Sequence, residues 1–218
     1  MIAMFRKLAA PLLALGMALG GAGPVAAGDA YDNTGTDTGL TVFYSSTGAT
    51  QLGDRVMLSA PSTVERVETQ FFNNGTDASF DAELRFFDPS TPTPSLIAPA
   101  FTVSGLSILS GESLTVSFTG LGGLALPQDL IVMFAVTQVS AGGDIGLNLF
   151  DPPTVGSSDA TFFLSDSGMG IVQAATLLDM DNIHLSISTM AAPVPEASTS
   201  LLLFGGLLGL ALLSRRRA

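Results

Sequence analysis

The chain has no cysteine, no tryptophan and a single histidine, His184. Without cysteine there is no disulfide framework and no thiolate chemistry, so the fold depends on its core. A zinc centre lacks its usual ligands for the same reason. Basic residues are scarce, eight Lys and Arg against nineteen Asp and Glu. Five of the eight sit at the ends: Arg6 and Lys7 at the start, Arg215, Arg216 and Arg217 at the finish. Only Arg55, Arg66 and Arg85 lie between, so the middle is strongly acidic. Such a surface repels phosphate backbones, which excludes nucleic acid as a partner. Helical periodicity is absent between the ends.

What is present begins with an address. Arg6-Lys7 is a positive region, Leu8–Leu19 a short apolar run, and Gly20–Pro24 a break. Val25-Ala26-Ala27 then offers small residues at the positions a signal peptidase reads. This pattern predicts a signal peptide over residues 1–27, cut between Ala27 and Gly28. Twelve apolar residues are short for a lasting membrane span.

The other end carries a second address. Val194-Pro195-Glu196-Ala197-Ser198-Thr199 precedes a Leu/Gly-rich apolar run that ends in Arg215-Arg216-Arg217. A helix over Ala197–Ser214 would be about 27 Å long, close to a hydrocarbon core of roughly 30 Å. The arginines predict a cytoplasmic end and act as a membrane stop. Arg6 and Lys7 face the same way, so both ends point inward and the middle lies outside. Gly205 and Gly209 also have the spacing of a helix-pairing motif.

The order of motif, apolar helix and basic tail resembles the PEP-CTERM sorting domain of Gram-negative bacteria that make extracellular polysaccharide. The resemblance covers Val194 to Arg217. Ala197 stands where the family motif has a second proline, a variant the family tolerates. The resemblance implies that an exosortase-type membrane protease recognises Pro195-Glu196 and removes the tail. The alternative is a plain single-pass anchor. The segment Gly53-Asp54-Arg55-Val56-Met57-Leu58 is similar to a start found in β-sandwich domains that precede such tails.

The stretch between the ends, residues 28–190, predicts strands. Candidates are Leu40–Tyr44, Arg55–Leu58, Val64–Phe72, Phe80–Phe86, Phe101–Val103, Leu106–Ile108, Leu114–Phe118, Leu130–Val139, Ile145–Phe150, Thr161–Leu164 and Ile183–Ile187. Phe80, Ala82, Leu84 and Phe86 alternate with Asp81, Glu83 and Arg85, the pattern of a half-buried antiparallel strand. Turn signals such as Asn73-Asn74-Gly75 and Gly142-Gly143 separate the runs. Pro89–Pro99 predicts a loop. The expected fold is all-β, an antiparallel, jelly-roll-like β-sandwich. An N-terminal signal helix and a C-terminal transmembrane helix, in residues 191–218, flank it.

Chemistry is sparse. His184 lies between Ile183 and Leu185, and alternation predicts that it faces solvent. No Gly-x-Ser-x-Gly elbow occurs. Glu65, Glu68, Glu83 and Glu112 are the candidate acids for a glycosidase, but the first three neighbour arginines and predict cross-strand charge pairs. Calcium is the cofactor these residue types suit. Asp29, Asp32, Asn33 and Asp37 cluster at the start of the domain, and Asp179, Asp181 and Asn182 near its end. Such loops supply the hard oxygens calcium takes, although neither matches an EF-hand, and solvated turns are the simpler reading.

These readings predict an exported, non-enzymatic structural or interaction protein. It passes through an inner-membrane intermediate to the outer surface or extracellular matrix. Its partners are signal peptidase, the exosortase-type protease and the membrane. The alternatives are an extracellular polysaccharide-binding module and a secreted hydrolase. Against the former, Tyr31 and Tyr44 are the only aromatics besides phenylalanine.

Overall fold

The computed structural model describes residues 28–90, 93–166, 170–173 and 182–190. The two predicted terminal helices lie outside these residues. Among those described, no helix is long and apolar enough to cross a membrane.

The described residues form fifteen strands and one short helix. The first strands are β1 (Asp29–Asn33), β2 (Asp37–Phe43), β3 (Gln51–Met57), β4 (Ser62–Asn73) and β5 (Ala78–Asp88). The helix α1 (Tyr44–Thr47) follows β2. Next come β6 (Ser95–Leu96), β7 (Phe101–Ile108), β8 (Ser113–Phe118), β9 (Leu124–Leu126) and β10 (Asp129–Thr137). The last are β11 (Ile145–Phe150), β12 (Ser157–Asp166), β13 (Gly170–Gln173), β14 (Asn182–Ile183) and β15 (Leu185–Thr189).

These strands make two antiparallel sheets. The eight-stranded sheet runs β1-β15-β4-β11-β14, with β2 on β11 and with β8 and β9 on β4. The seven-stranded sheet runs β13-β12-β3-β10-β5-β6, with β7 on β5. Their apolar faces share one core. Phe71 and Phe118 from the first sheet meet Phe134 from the second at ring distances of 6.4 and 5.8 Å. Phe71 also meets Phe80 edge-on at 5.4 Å. The tilted and edge-on arrangements suit the ring quadrupole and fill space that aliphatic side chains would leave open.

The clean alternation of β5 is realised: Phe80, Ala82, Leu84 and Phe86 are all buried. β10 lies between β3 and β5, and both its faces are buried, which explains its unbroken apolar sequence. The segment starting at Gly53 also has a physical basis. Leu52, Asp54 and Val56 of β3 are buried together. A Cβ on Gly53 would run into the Val132 carbonyl and lie 2.8 Å from Met133 Cα. A larger residue there would push β3 away from β10.

Four expectations are corrected. Asp29–Asn33, read as a turn cluster, is a strand paired with β15. Phe101–Val103 and Leu106–Ile108 form one strand, β7, whose register slips opposite Phe80–Ala82. Gly105 there takes φ 71°, a conformation that favours glycine, and its N–H donates to Asp81 Oδ1 at 2.8 Å. The Pro89–Pro99 loop contains β6, a two-residue strand on β5. Ile183–Ile187 is not one strand but β14 and β15, separated at His184.

Candidate functional site

His184 does not face solvent as alternation predicted; it is buried. The strand breaks at this residue, so period-two reasoning fails there. Its backbone N–H donates to the Asn148 carbonyl at 2.9 Å, and its carbonyl accepts from Thr69 Oγ1 at 2.7 Å. Phe150 packs edge-on to the imidazole at 4.7 Å. Burial holds the ring below the usual histidine range and keeps it neutral. A depressed folded-state value means that His184 adds stability as pH rises toward 6.5, and this is lost on acidification.

The candidate calcium ligands are separately engaged. Asp29 accepts from Ser188 Oγ at 2.8 Å. Asp32 accepts from Thr34 Oγ1 at 2.7 Å and Thr154 Oγ1 at 2.8 Å. Burial works to raise Asp32, but these hydroxyls and the Thr34 N–H outweigh it and hold the carboxyl low. Asp37 accepts from the Gly39 N–H at 2.8 Å, closing a turn inside β2. Asn33 lies in the core and donates to the carbonyls of Phe150 and Ile183 at 2.9 and 3.0 Å. Asn182 donates to Asp151 Oδ1 at 3.2 Å. Asp179 and Asp181 lie outside the described residues. Among those described, no three acidic or histidine side chains come together to hold a metal.

The glutamates pair differently from expectation. Glu83–Arg85 at 2.8 Å and Glu68–Arg66 at 3.7 Å join residues two apart on one strand, not across strands. The pair that crosses strands is Arg55–Asp129, a two-pronged contact at 2.8 and 2.6 Å. The hydrogen bonds from Arg55 hold Asp129 below the usual carboxylate range. Glu65 and Glu112 are exposed.

Sequence reasoning missed Asp54. The residue is 1% exposed, and no side chain hydrogen-bonds to its carboxyl oxygens. Burial pushes this carboxyl well above the ordinary range. Asp159 adds to the rise, while the N–H groups of Arg55 and Ile183 oppose it. Burial likewise raises the neighbouring Tyr31 phenol, which donates to Ser158 Oγ at 3.2 Å. The only signal in the sequence was an acidic residue in register with Leu52 and Val56.

Two open clefts lie among the described residues. One, of about 630 Å3, lies where the described chain begins and ends, with Gly28, Asp29, Arg66 and Thr189 in its wall. There the Gly28 carbonyl accepts from the Thr189 N–H at 3.0 Å and from its hydroxyl at 2.8 Å. The other, of about 400 Å3, lies over β2, β4 and β11 and includes Thr41, Phe43, Phe72, Ser113 and Asn148.

No family model, curated protein or solved structure matches this chain.

The second cleft combines polar and aromatic groups in a fixed frame. Asn148 donates to Gln70 Oε1 at 2.7 Å and Ser113 Oγ at 2.9 Å, and accepts from Thr41 Oγ1 at 2.8 Å. Phe43 and Phe72, both half-buried, meet edge-on at 6.2 Å. Tyr31 and Tyr44, the aromatics besides phenylalanine, are buried elsewhere. Ala27, Val194 to Ala197 and Arg215 to Arg217 lie outside the described residues.

Proposed function

We propose that this chain is an exported bacterial surface protein whose residues 28–190 form a jelly-roll-like sandwich that serves as an interaction body, not an enzyme. In this reading residues 1–27 are removed by signal peptidase between Ala27 and Gly28. Residues 191–218 form a PEP-CTERM-like signal with a transmembrane helix. An exosortase-type protease reads Val194 to Ala197, while Arg215, Arg216 and Arg217 keep the end in the cytoplasm. The body then passes from an inner-membrane intermediate to the outer surface or matrix.

The observation that supports this reading is the junction of Gly28 with Thr189. Gly28 and Thr189, described residues that in sequence stand just inside the two proposed processing points, meet where β1 pairs with β15. β15 lies between β1 and β4, so the sheet closes only after the chain through Thr189 has emerged. A stop signal placed after that strand fits such a body, because it delays release until the last strand is available.

A Glu196→Ala substitution tests the tail. The variant is expected to accumulate in the membrane fraction, with the released form at least about tenfold depleted, as loss of a recognised carboxylate implies. Release at the normal level would remove the sorting motif from the account.

A further inference from the structure

We propose that the cleft over β2, β4 and β11 binds a neutral polysaccharide, an inference that rests on the export reading above and names the partner of the exported body. A sugar presents two kinds of surface. Its hydroxyls need donors and acceptors at fixed positions, and its C–H faces need apolar, preferably aromatic, contact. This cleft holds both within one wall.

The polar part is held in advance. Asn148 is 6% exposed and uses its amide on Thr41, Gln70 and Ser113. It therefore orients the groups around it instead of meeting a ligand itself. Gln70 stands beside the cleft, bound to its Asn148 through its oxygen, and keeps its amide nitrogen in only a long 3.5 Å contact with Thr115. That contact lies at the limit of a useful hydrogen bond and can be exchanged for a sugar oxygen. The hydroxyls of Thr41 and Ser113 retain further acceptor capacity. Groups fixed before binding lose little freedom on binding, which favours a ligand whose individual contacts are weak.

The apolar part is the Phe43–Phe72 pair, extended by Leu40, which is 42% exposed. Both rings flank Gly146, the register partner of Phe43 and of Phe72, so they cover its bare backbone and present a half-buried aromatic surface to a sugar's C–H face.

Charge selects among glycans. No cation lines this cleft, and Asp37 stands in its wall. Arg55, Arg66 and Arg85 are paired with acids elsewhere. An acidic polysaccharide would meet repulsion without a counter-charge, whereas a neutral one meets none. The open shape suits a stretch of a longer polymer.

The test is affinity electrophoresis of the full chain, recovered from envelopes in mild detergent, through gels containing neutral β-glucan, neutral galactomannan or acidic alginate. Retardation by at least one neutral polymer and none by alginate is expected. Gln70→Ala and Phe72→Ala are each expected to weaken that retardation about tenfold, the equivalent of roughly 1.4 kcal/mol. Both variants should keep a cooperative melt, which separates ligand contact from misfolding. Glu65→Gln, exposed toward the other end of β4 and outside this cleft, should leave binding within about twofold. No retardation by either neutral polymer overturns the proposal. So does equal retardation by alginate, or binding indifferent to Gln70 and Phe72. Absence of binding by a chain processed at both ends defeats the ligand and leaves export standing. Binding that persists when the released protein keeps its terminal segments defeats the sorting account and leaves the cleft standing.

Discussion

Replacing Phe134 with Ala is expected to remove about 3–5 kcal/mol of folding stability, a large share of the margin a domain of this size carries. Phe134 sits in β10, the strand between β3 and β5, and is fully buried. Its ring touches Phe71 and Phe118 from the opposing sheet. Truncation therefore loses the transfer energy of the ring and opens a space that two rigid sheets cannot close. The backbone at this position is also fixed, because Tyr44 donates its hydroxyl to the Phe134 carbonyl at 3.0 Å. Urea unfolding checks the result: the midpoint should fall sharply while the slope stays unchanged. A loss below about 1 kcal/mol would mean that the two sheets do not depend on this aromatic contact. Phe72→Ala, on the outer face of β4, is expected to lose less than half as much, because Phe72 is only half-buried and outside the shared core.

The second large effect concerns Asp54 and depends on pH. In the folded chain burial holds its carboxyl protonated to well above the ordinary aspartate range, whereas in the unfolded chain it ionises near pH 3.9. Between these limits the folded state holds a proton that the unfolded state has released. Stability therefore falls as pH rises from about 4, by up to about 1.4 kcal/mol per pH unit until the folded-state value is reached. Asp54→Asn keeps the shape and cannot ionise. The variant is expected to lack this decline and to exceed the parent at pH 7 by on the order of 1–3 kcal/mol, the usual cost of a buried polar group whose bonding is incomplete. The difference between the two stability curves is the relevant quantity. Asp32, Asp129 and His184 also change protonation with folding, but they do so in both proteins and cancel. Curves that stay parallel from pH 4 to 8 would show that Asp54 finds a partner or reaches water.

Much of the fold is legible in the sequence, for physical reasons that differ between elements. β5 is read directly because one of its faces is buried and the other polar, so period-two alternation survives in the residues. β10 is read from the opposite feature, a long apolar run buried on both faces. β1 is hidden because Asp29, Asp32 and Asn33 are typical turn residues. Here they have tertiary uses: Asn33 ties β1 to Phe150 and Ile183 across the core edge. His184 misleads because alternation assumes an unbroken strand, and the chain leaves one partner for another at that residue.

The clefts are less legible. Gln70, Phe72, Phe43 and Asn148 come from three strands far apart in sequence, and only the pairing of β2 and β4 with β11 unites them. Within β4, Thr69 and Phe71 are buried while Gln70 and Phe72 are half-buried. That alternation contains the hint, but two adjacent phenylalanines look alike until one face is assigned to the core. The meeting of Gly28 with Thr189 has no local signature, since it depends on the first and last strands of the body lying side by side.

The most direct test of the central claim is the intact mass of the protein recovered separately from the envelope and from the medium. The account predicts a chain that begins at Gly28 and ends near Pro195-Glu196, with both terminal segments gone from the released form. A released protein that still carries Leu201 to Ala218, or one whose mass includes residues 1–27, would contradict it.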